Sequence, residues 1–577
     1  MNKQCKATGK ASIDRPWMKY YPESLQQLQI PHCSLTDYLR QNNADTSIPV
    51  IHYYGRELTW NDLFRQADAA AKALCALGFK EGDRIPTFLQ AVPEHVVLLL
   101  AAEKIGAALI CRDGTLEESV VAIQNSKSPV LFAHTYLSKA EEDRFRAETQ
   151  LERIVTLSPY ASADRSKMPE HITAYIDSLQ PAEPACAPEN LTWDQFLALG
   201  EGYTGPWEAP ADPDRPLFCA YTSGSTGPSK QVIHSAASML GVIHQMTPFT
   251  ASLDFRLTWL HTILPPSLVA VTVTMILSPI SSGNLLILDP FCDVQDLDLE
   301  LMRYRPNCWA LIPEFIEVLM RSPRIPADYS MDYLYAAGVG AEPLNIKQIE
   351  RAEAFLKAHH CPAHFSVSYG MSEGGSGFTL PCPTQPLTDC CGGMPMIATT
   401  LAAFAKGTQQ ELGYGEVGEL CKTGPGLMLG YDDPESTAQA LQWHPDGQLW
   451  LHTGDYGYMA ENGTVHVLSR GFPERFGGGR LFVMEMENRI AFTPGMDDGF
   501  FVIAPDPEHE GYFLPYLYLV LEQGADQAEV EQAIRNALEP HQQPVEVTLI
   551  KERSYFHFKT NRRELAAEIA ARVPVTV

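Results

Sequence analysis

Residues 221–230, with the sequence YTSGSTGPSK, combine small hydroxyl side chains, two glycines and one lysine. Glycines let a backbone approach an anion closely, hydroxyls donate hydrogen bonds, and a lysine adds a positive charge. The stretch therefore predicts a phosphate-binding loop, with ATP as the expected ligand. Its spacing is not that of a Walker A loop, which places four residues between its first glycine and a Gly-Lys-Ser/Thr ending.

The alternative for this stretch is a flexible Ser/Gly turn on the surface, a structure that short segments of such composition often form. An apolar run of strand length, residues 216–221, precedes the loop, and a second apolar run, residues 232–234, follows it. A loop held between two structured segments favours a binding role over a free turn.

Elements that would position the loop alternate between helical and strand patterns along the chain. Residues 60–77 predict a helix, and residues 84–89 predict the strand that follows it. This alternation predicts an α/β fold with layered sheets, helices and largely parallel strands. The longest largely apolar stretch, residues 268–280, is too short to span a bilayer, so we expect a buried segment and no transmembrane helix.

Length and composition limit the class of protein. A chain of 577 residues is too long for one core, and 45% hydrophobic with 20% charged residues is typical of a soluble globular protein. The net charge of -27 disfavours nucleic acid as a partner. Residues 1–14 lack the apolar core of a secretion signal, and the 13 cysteines include no Cys-x-x-Cys pair. We therefore expect a cytoplasmic protein with reduced thiols and no zinc site.

The loop is one of several motifs that occur in a recognisable order. In chain order they are GRELTW at 55–60, GDR at 82–84, GVGAEPL at 338–344, YGMSE at 369–373, GEL at 418–420, GY at 430–431, PEST at 434–437, TGD at 453–455, NG at 462–463 and SR at 469–470. Together they closely resemble the adenylate-forming superfamily, which includes acyl-CoA synthetases, adenylation domains of non-ribosomal peptide synthetases and firefly-type luciferases. The resemblance covers roughly residues 35–565.

This resemblance implies roles for individual residues. It implies that Glu373 binds Mg²⁺, that Asp455 accepts hydrogen bonds from the ribose hydroxyls, and that Arg470 contacts the ribose or the α-phosphate. Tyr369 is expected to stack on adenine, with core packing as the alternative. The implied nucleotide-binding set is Thr222, Ser223, Gly224, Ser225, Thr226, Gly227, Lys230, Gly340, Ala341, Glu342, Tyr369, Gly370, Met371, Ser372, Asp455 and Arg470.

A lysine near the end of the chain is the third residue of the implied catalytic set, with Glu373 and Lys230. Residues 558–565, FKTNRREL, resemble the family's Gly-Lys-x-x-Arg-x-x-Leu ending, which implies that Lys559 bridges the substrate carboxylate and the α-phosphate. An exposed lysine of a C-terminal helix is the alternative. Phe558 stands where the family has glycine.

The expected domain boundary follows Arg470. Residues 471–479, GFPERFGGG, are rich in turn-forming residues and predict a hinge between an N-terminal domain, 1–470, and a small mobile α+β domain, 471–577. The family's charged hinge residue has no match, because Phe472 and Pro473 occupy its place. The resemblance implies that Gly478 and Gly479 meet the pantetheine arm of CoA.

The substrate region departs from many relatives. Residues 264–270, LPPSLVA, are aliphatic and small, which favours a hydrophobic carboxylic acid, and a fatty acid above others, over an amino acid. The implied activity is a Mg-ATP-dependent ligase that forms an acyl adenylate and transfers the acyl group to CoA. Two alternatives stay open at this point: loading of a carrier protein's phosphopantetheine, and a member that binds a nucleotide or acyl ligand without turnover.

Overall fold

The computed structural model of the chain describes residues 8–222, 229–251, 255–382, 390–556 and 558–572. Two large, mainly parallel sheets form the first part of the fold. In these residues one sheet has seven strands in the order Phe365–Val367, Ala336–Val339, Cys308–Leu311, Thr258–Thr262, Leu285–Asp289, Pro49–Tyr53 and Arg56–Thr59. The other has eight, in the order Gly430–Tyr431, Gln231–Ser235, Pro216–Tyr221, Ala108–Cys111, Arg84–Phe88, Val130–His134, Arg153–Leu157 and Leu191–Thr192.

Helices cover both sheets, as expected for an α/β fold. The α-helices of this region are Leu35–Asn42, Trp60–Ala76, Pro93–Ile105, Leu116–Ser126, Lys139–Glu148, Glu170–Ser178, Trp193–Glu201, Ala236–Ala251, Ser278–Ser281, Leu297–Tyr304, Pro313–Arg321 and Ile346–Ala358. The helix Trp60–Ala76 follows the sequence prediction closely. A reciprocal capping box between Thr59 and Asp62 fixes its start.

The apolar stretch 268–280 is buried, as the sequence predicts. It forms a π-helix, Val271–Leu277, that continues into Ser278–Ser281, and Val271, Val273 and Leu277 are fully buried. Across the described ranges, no helix is long and apolar enough to cross a membrane.

A third sheet carries the residues that follow the large sheets. Its described strands are Thr400–Phe404, Gly418–Thr423, Leu449–Met459 and Leu441–Trp443, with Val465–Arg470 paired to the long third strand. The helix Pro434–Ala440 lies beside it, and two-stranded ribbons, Gly370–Met371 with Ser376–Gly377 and Thr379–Leu380 with Met394–Pro395, connect it to the first sheet.

The N-terminal segment packs on this third sheet rather than on the sheets that follow it in sequence. Trp17 is fully buried in its core. Arg15 Nη2 donates to Ile397 O at 2.8 Å, and Tyr21 OH donates to Pro395 O at 2.8 Å. A Cβ atom on Gly463 would lie 2.6 Å from the backbone nitrogen of Trp17, so the turn before Val465–Arg470 needs a glycine for this packing.

The C-terminal domain is small and has its own cores. Its sheet orders Met496–Pro505, Phe513–Leu521 and Glu546–Leu549, and its helices are Val483–Ile490, Gln527–Ala537 and Arg562–Arg572. A hairpin of Tyr555–Phe556 and Lys559–Thr560 precedes the last helix. The strand Val465–Arg470 ends at the expected boundary, and the exact position of that boundary stays a prediction.

Candidate active site

Asp455 is the centre of one group of site residues on the third sheet. The strands Leu449–Met459 and Val465–Arg470 pair in register so that Asp455 lies opposite Arg470. Oδ1 of Asp455 accepts from Arg470 Nη1 at 2.8 Å, and its Oδ2 accepts from Tyr369 OH at 2.8 Å. The Asp455 carboxylate raises the pKa of Arg470, whereas burial and then the same carboxylate raise the pKa of Tyr369. The Asp455 carboxylate therefore binds Arg470 with one oxygen and Tyr369 with the other, which brings these two side chains close together.

Glu419 forms a hydrogen bond to the backbone beside Asp455 and stabilises its position. Oε1 of Glu419 accepts from the backbone nitrogen of Gly454 at 3.0 Å, and its Oε2 lies 3.0 Å from Nδ1 of His452. The ligand-type atoms of Glu419, Cys421 and His452 lie within 4.8 Å of one another. Their mutual hydrogen bonds account for this closeness, so we interpret the group as a support for the turn.

Glu373 is buried on a short 3₁₀ turn, Ser372–Gly374. Its Oε1 accepts from Tyr431 OH at 2.6 Å, and its carbonyl oxygen accepts from Met428 N at 2.9 Å. Burial lowers the pKa of His234 to about 4, so its imidazole is neutral at neutral pH and can donate from Nε2 to Ser372 O, 2.8 Å away. Hydrogen bonds from Tyr431, Met428 and His234 therefore hold this turn, and Tyr431 contacts one oxygen of the Glu373 carboxylate.

Gly370 and Met371 reach the same turn through backbone pairing. They pair with Gly377 and Ser376, respectively. A Cβ atom on Gly370 would lie 2.2 Å from the carbonyl oxygen of Ser376, so glycine is required for this approach. These two residues shape the turn that presents Glu373, and their expected contact with the nucleotide stays a prediction.

The two ends of the expected phosphate loop are described, and they are tied together. Thr222 N donates to Lys230 O at 2.9 Å, and Lys230 N donates to Thr222 Oγ1 at 3.0 Å. The Lys230 ammonium lies 5.0 Å from the centre of the Tyr431 ring. The two ends of the loop therefore lie near Tyr431, the residue whose hydroxyl donates to Glu373. The expected ligands Ser223, Gly224, Ser225, Thr226 and Gly227 lie outside the described residues.

Arg112 supports the base of this loop and was missed by the sequence analysis. Its side chain is almost fully buried, its Nη1 donates to Ser229 Oγ at 3.1 Å, and its guanidinium lies 4.6 Å from the centre of the Tyr221 ring. Glu118 pairs with it at 2.5 Å. Neither the lone arginine after a strand nor its spacing from the loop signals this contact in the sequence.

The turn after the strand Ala336–Val339 carries three expected site residues. Gly340 N donates to Leu311 O at 3.3 Å, and Ala341 has a left-handed backbone, with φ of +77°. The Glu342 carboxylate faces the C-terminal domain: its Oε1 accepts from Thr560 Oγ1 at 3.0 Å, and its Oε2 accepts from Arg562 Nη1 at 3.2 Å. The side chain of Glu342 thus contacts the C-terminal domain, while Gly340 and Ala341 shape the turn.

Lys559 lies on the strand Lys559–Thr560, just before the last helix rather than within it. Burial lowers the pKa of its ammonium, the Glu342, Asp455 and Glu373 carboxylates raise that pKa, and Arg470 lowers it. Glu342 and Glu373 lie on turns of the N-terminal domain, and Asp455 and Arg470 lie on paired strands of the third sheet. The Lys559 ammonium therefore lies within electrostatic range of residues that the sequence analysis placed around ATP, and its catalytic role stays a prediction.

Phe558 has a left-handed backbone, with φ of +63°, directly before this lysine. That conformation is easy for glycine and costs other residues about 1–2 kcal/mol. The Phe558 ring packs edge-on to Phe315 of the N-terminal domain, with ring centres 6.4 Å apart. The replaced glycine thus keeps the glycine conformation and adds an aromatic contact between the domains.

Gly478 and Gly479 are not brought to this site. They lie on a turn of the C-terminal domain, where Gly478 N donates to Arg475 O at 3.0 Å, and a Cβ atom on Gly479 would lie 2.2 Å from Cγ of His541. In the expected hinge, Phe472 packs against Tyr456 with ring centres 4.8 Å apart. That Gly478 and Gly479 bind CoA stays a prediction, and it requires an arrangement of the two domains different from this one.

Comparison with known proteins gives a family match for most of the chain. The family model described as AMP-binding enzyme matches residues 39–432. The 4-coumarate–CoA ligase 2 of Oryza sativa subsp. japonica is 26% identical, over 96% of this chain and 95% of its own length. The fatty acid–[acyl-carrier-protein] ligase ScoC of Streptomyces coeruleorubidus is also 26% identical, over 82% of this chain and 83% of its own.

The fold is similar to those of solved structures at low sequence identity. ATP-bound MatB from Rhodopseudomonas palustris superposes with a TM-score of 0.74 at 20% identity, covering 93% of this chain and 99% of that one. The architecture of a large N-terminal and a small C-terminal domain is therefore shared over nearly the whole length.

Proposed function

Because this chain belongs to the AMP-binding enzyme family, we propose that it is an acid–thiol ligase that activates a hydrophobic carboxylic acid as an acyl adenylate and transfers the acyl group to CoA. A fatty acid is the favoured substrate. The observation that supports this most is the setting of Lys559: it precedes Thr560, which is bonded to Glu342, and the charges of Glu342, Arg470, Asp455 and Glu373 act on the pKa of its ammonium. A surface lysine without function has no reason to meet such a group.

The proposed first step is attack of the substrate carboxylate on the α-phosphorus of ATP. The carboxylate oxygen forms a bond to phosphorus, the bond to the β-phosphate oxygen breaks, and pyrophosphate leaves. Negative charge is crowded around phosphorus in the transition state, so fixed positive groups supply much of the catalysis. We assign this role to Lys559 and Arg470; partial burial of Lys559 lowers the pKa of its ammonium and reduces screening of its charge by water.

The remaining nucleotide contacts follow from the same geometry. We assign the ribose hydroxyls to Asp455, whose carboxylate is already oriented by Tyr369 and Arg470. We assign the β- and γ-phosphates to Lys230 and to the loop that begins at Thr222, whose hydroxyl is bonded to Lys230 N. Asp455 is oriented by two hydrogen bonds and Thr222 by its bonds to Lys230, and groups oriented in this way lower the ordering cost of binding.

Mg²⁺ fits the residues present at Glu373. This carboxylate is buried, and its described side-chain hydrogen bond, from Tyr431 OH to Oε1, orients it without neutralising its charge. Carboxylate oxygen is the ligand that Mg²⁺ prefers, and the ion would neutralise charge on the ATP phosphates. Glu373 would hold the ion, and Tyr431 would keep the carboxylate in position.

Loading of a carrier protein is a second candidate for the thioester step. The similarity to ScoC, a protein named as a fatty acid–[acyl-carrier-protein] ligase, supports it. The similarity to a protein named as a 4-coumarate–CoA ligase supports CoA and adds aromatic acids to the substrates worth testing.

Pyrophosphate release across a panel of short, long and aromatic acids tests the proposal. We expect release with at least one hydrophobic acid, and a thioester on adding either free CoA or a holo carrier protein, whichever is the true acceptor. Silence on all acids would contradict the ligase proposal and support a protein that binds without turnover. A matched pair of variants, Lys559→Ala and Lys551→Ala, separates the partly buried lysine from an exposed lysine of the same domain.

A further inference from the structure

Glu342 connects the two domains through a single carboxylate. Thr560 N lies 3.1 Å from Oε1 and 3.2 Å from Oε2, Thr560 Oγ1 donates to Oε1, and Arg562 Nη1 donates to Oε2 at 3.2 Å. The carboxylate and Thr560 are both buried. A carboxylate offers about four acceptor positions, so the C-terminal domain uses nearly the whole capacity of this side chain.

We propose that Glu342 is a positioning residue that holds Lys559 in the active site by binding the backbone of the next residue. This inference rests on the proposed function, since it concerns the lysine of the adenylation step. Successive Cα atoms are about 3.8 Å apart, so fixing the amide and hydroxyl of Thr560 leaves the start of the Lys559 side chain little freedom. The described side-chain contacts of Glu342 are with the C-terminal domain, and its expected place beside the nucleotide stays a prediction.

Arg562 shows why this contact distinguishes one domain arrangement from another. Its Nη2 also pairs at 2.7 Å with Glu487, which belongs to the C-terminal domain itself. If the domain moves away, Arg562 keeps Glu487, but the Thr560 amide loses both of its acceptor contacts. A contact made in only one of two states shifts the equilibrium toward that state. Glu342 therefore favours the arrangement in which the Lys559–Thr560 strand is docked on the N-terminal domain.

Other contacts between the domains allow a local effect to be separated from loss of docking. Lys347 Nζ donates to Met496 O at 2.6 Å, and Ile346 N donates to Asn488 Oδ1 at 2.8 Å. These bonds do not involve Glu342, so removing its carboxylate should loosen the Lys559 strand before it releases the whole domain.

The test compares Glu342→Ala and Glu342→Gln with Glu350→Gln, which removes an exposed carboxylate from the helix that follows. Amide hydrogen exchange of the full-length protein, without nucleotide, is measured in the segment that contains Thr560. We expect exchange there to rise about tenfold in Glu342→Ala, which removes several hydrogen bonds, and less in Glu342→Gln, whose amide oxygen can still accept one. Unchanged exchange in Glu342→Ala would overturn the proposal.

Kinetics provide the second measurement. Adenylate formation is followed by pyrophosphate release, and thioester formation is followed separately from a synthetic acyl adenylate. We expect Glu342→Ala to lower kcat for adenylation at least tenfold while KM for ATP changes less, because a misplaced lysine weakens the transition state more than ground-state binding. A raised KM with unchanged kcat would overturn the proposal by returning Glu342 to the nucleotide. If the wild-type protein releases no pyrophosphate, the proposed function fails, and the exchange measurement alone still decides the role of Glu342.

Discussion

Lys422 is a buried lysine whose effect on stability can be calculated from its surroundings. It lies on the strand Gly418–Thr423, and its ammonium donates to Pro425 O at 2.5 Å and contacts Gly374 O at 3.4 Å, next to Glu373. Burial lowers its pKa to about 7, from a model-compound value of 10.5. The unfolded chain therefore binds a proton that the folded protein releases over this range, and stability must rise with pH across it.

The magnitude follows from the two pKa values. Relative to high pH, where the lysine is neutral in both states, Lys422 destabilises the folded state by roughly 4 kcal/mol at about pH 7. At about pH 9.5, where the unfolded chain still binds the proton and the folded protein has lost it, the destabilisation is roughly 1.5 kcal/mol. We therefore predict that Lys422→Met removes a pH-dependent destabilisation of about 3 kcal/mol between these two conditions. The two carbonyl oxygens left without their donor add a cost of about 1–3 kcal/mol that does not depend on pH.

Urea titrations of the wild-type protein and Lys422→Met at both pH values measure this difference. Lys357→Met, which removes an exposed lysine from the helix Ile346–Ala358, is the matched control and should show no such dependence. If the stability difference between wild type and Lys422→Met is the same at both pH values, the lysine keeps its ordinary pKa and the reasoning from burial is refuted.

Three further predictions concern the site itself. Lys559→Ala should leave ATP binding nearly unchanged in calorimetry and slow pyrophosphate release about 10²- to 10³-fold, the usual effect of losing one transition-state partner; near-normal release would remove Lys559 from the chemistry. Tyr431→Phe should raise the Mg²⁺ concentration for half-maximal activity roughly tenfold, because Glu373 loses a hydrogen bond to a charged acceptor; an unchanged Mg²⁺ requirement would contradict its orienting role. Arg112→Lys should raise KM for ATP roughly fivefold with little change in kcat, since lysine lacks the planar group that reaches the loop base and the Tyr221 ring together; equal KM values would contradict the support assigned to Arg112.

Local features of the fold could be predicted from the sequence. The strand Pro216–Tyr221 was predicted from an apolar run, and the helix Trp60–Ala76 from a helical sequence pattern. The apolar stretch 268–280 was expected to be buried, but its π-helix has no sequence signal. The α/β class and the family were likewise predicted and are confirmed by the sheets and by the family match.

The individual side-chain contacts between distant residues could not be predicted, although the family resemblance implied that several of them share one site. Glu342 and Thr560 are 218 positions apart, and Tyr431 and Glu373 are 58 apart, so only the folded chain shows which side chains meet. Phe558 illustrates a second limit. Its residue type argues against the family's glycine, yet its backbone adopts the glycine conformation because Phe315 gives the ring a place to pack.

The docking of the N-terminal segment has a consequence for synthesis of the protein. Arg15 and Tyr21 bind carbonyl groups of Ile397 and Pro395, more than 370 positions later, and Trp17 is buried in the same core. At about 5–20 residues per second, a ribosome needs on the order of 20–80 s to make that later stretch. Throughout this interval the first aromatic residues emerge without their pocket, so chaperone occupancy of the nascent chain should be highest before residue 400 is translated.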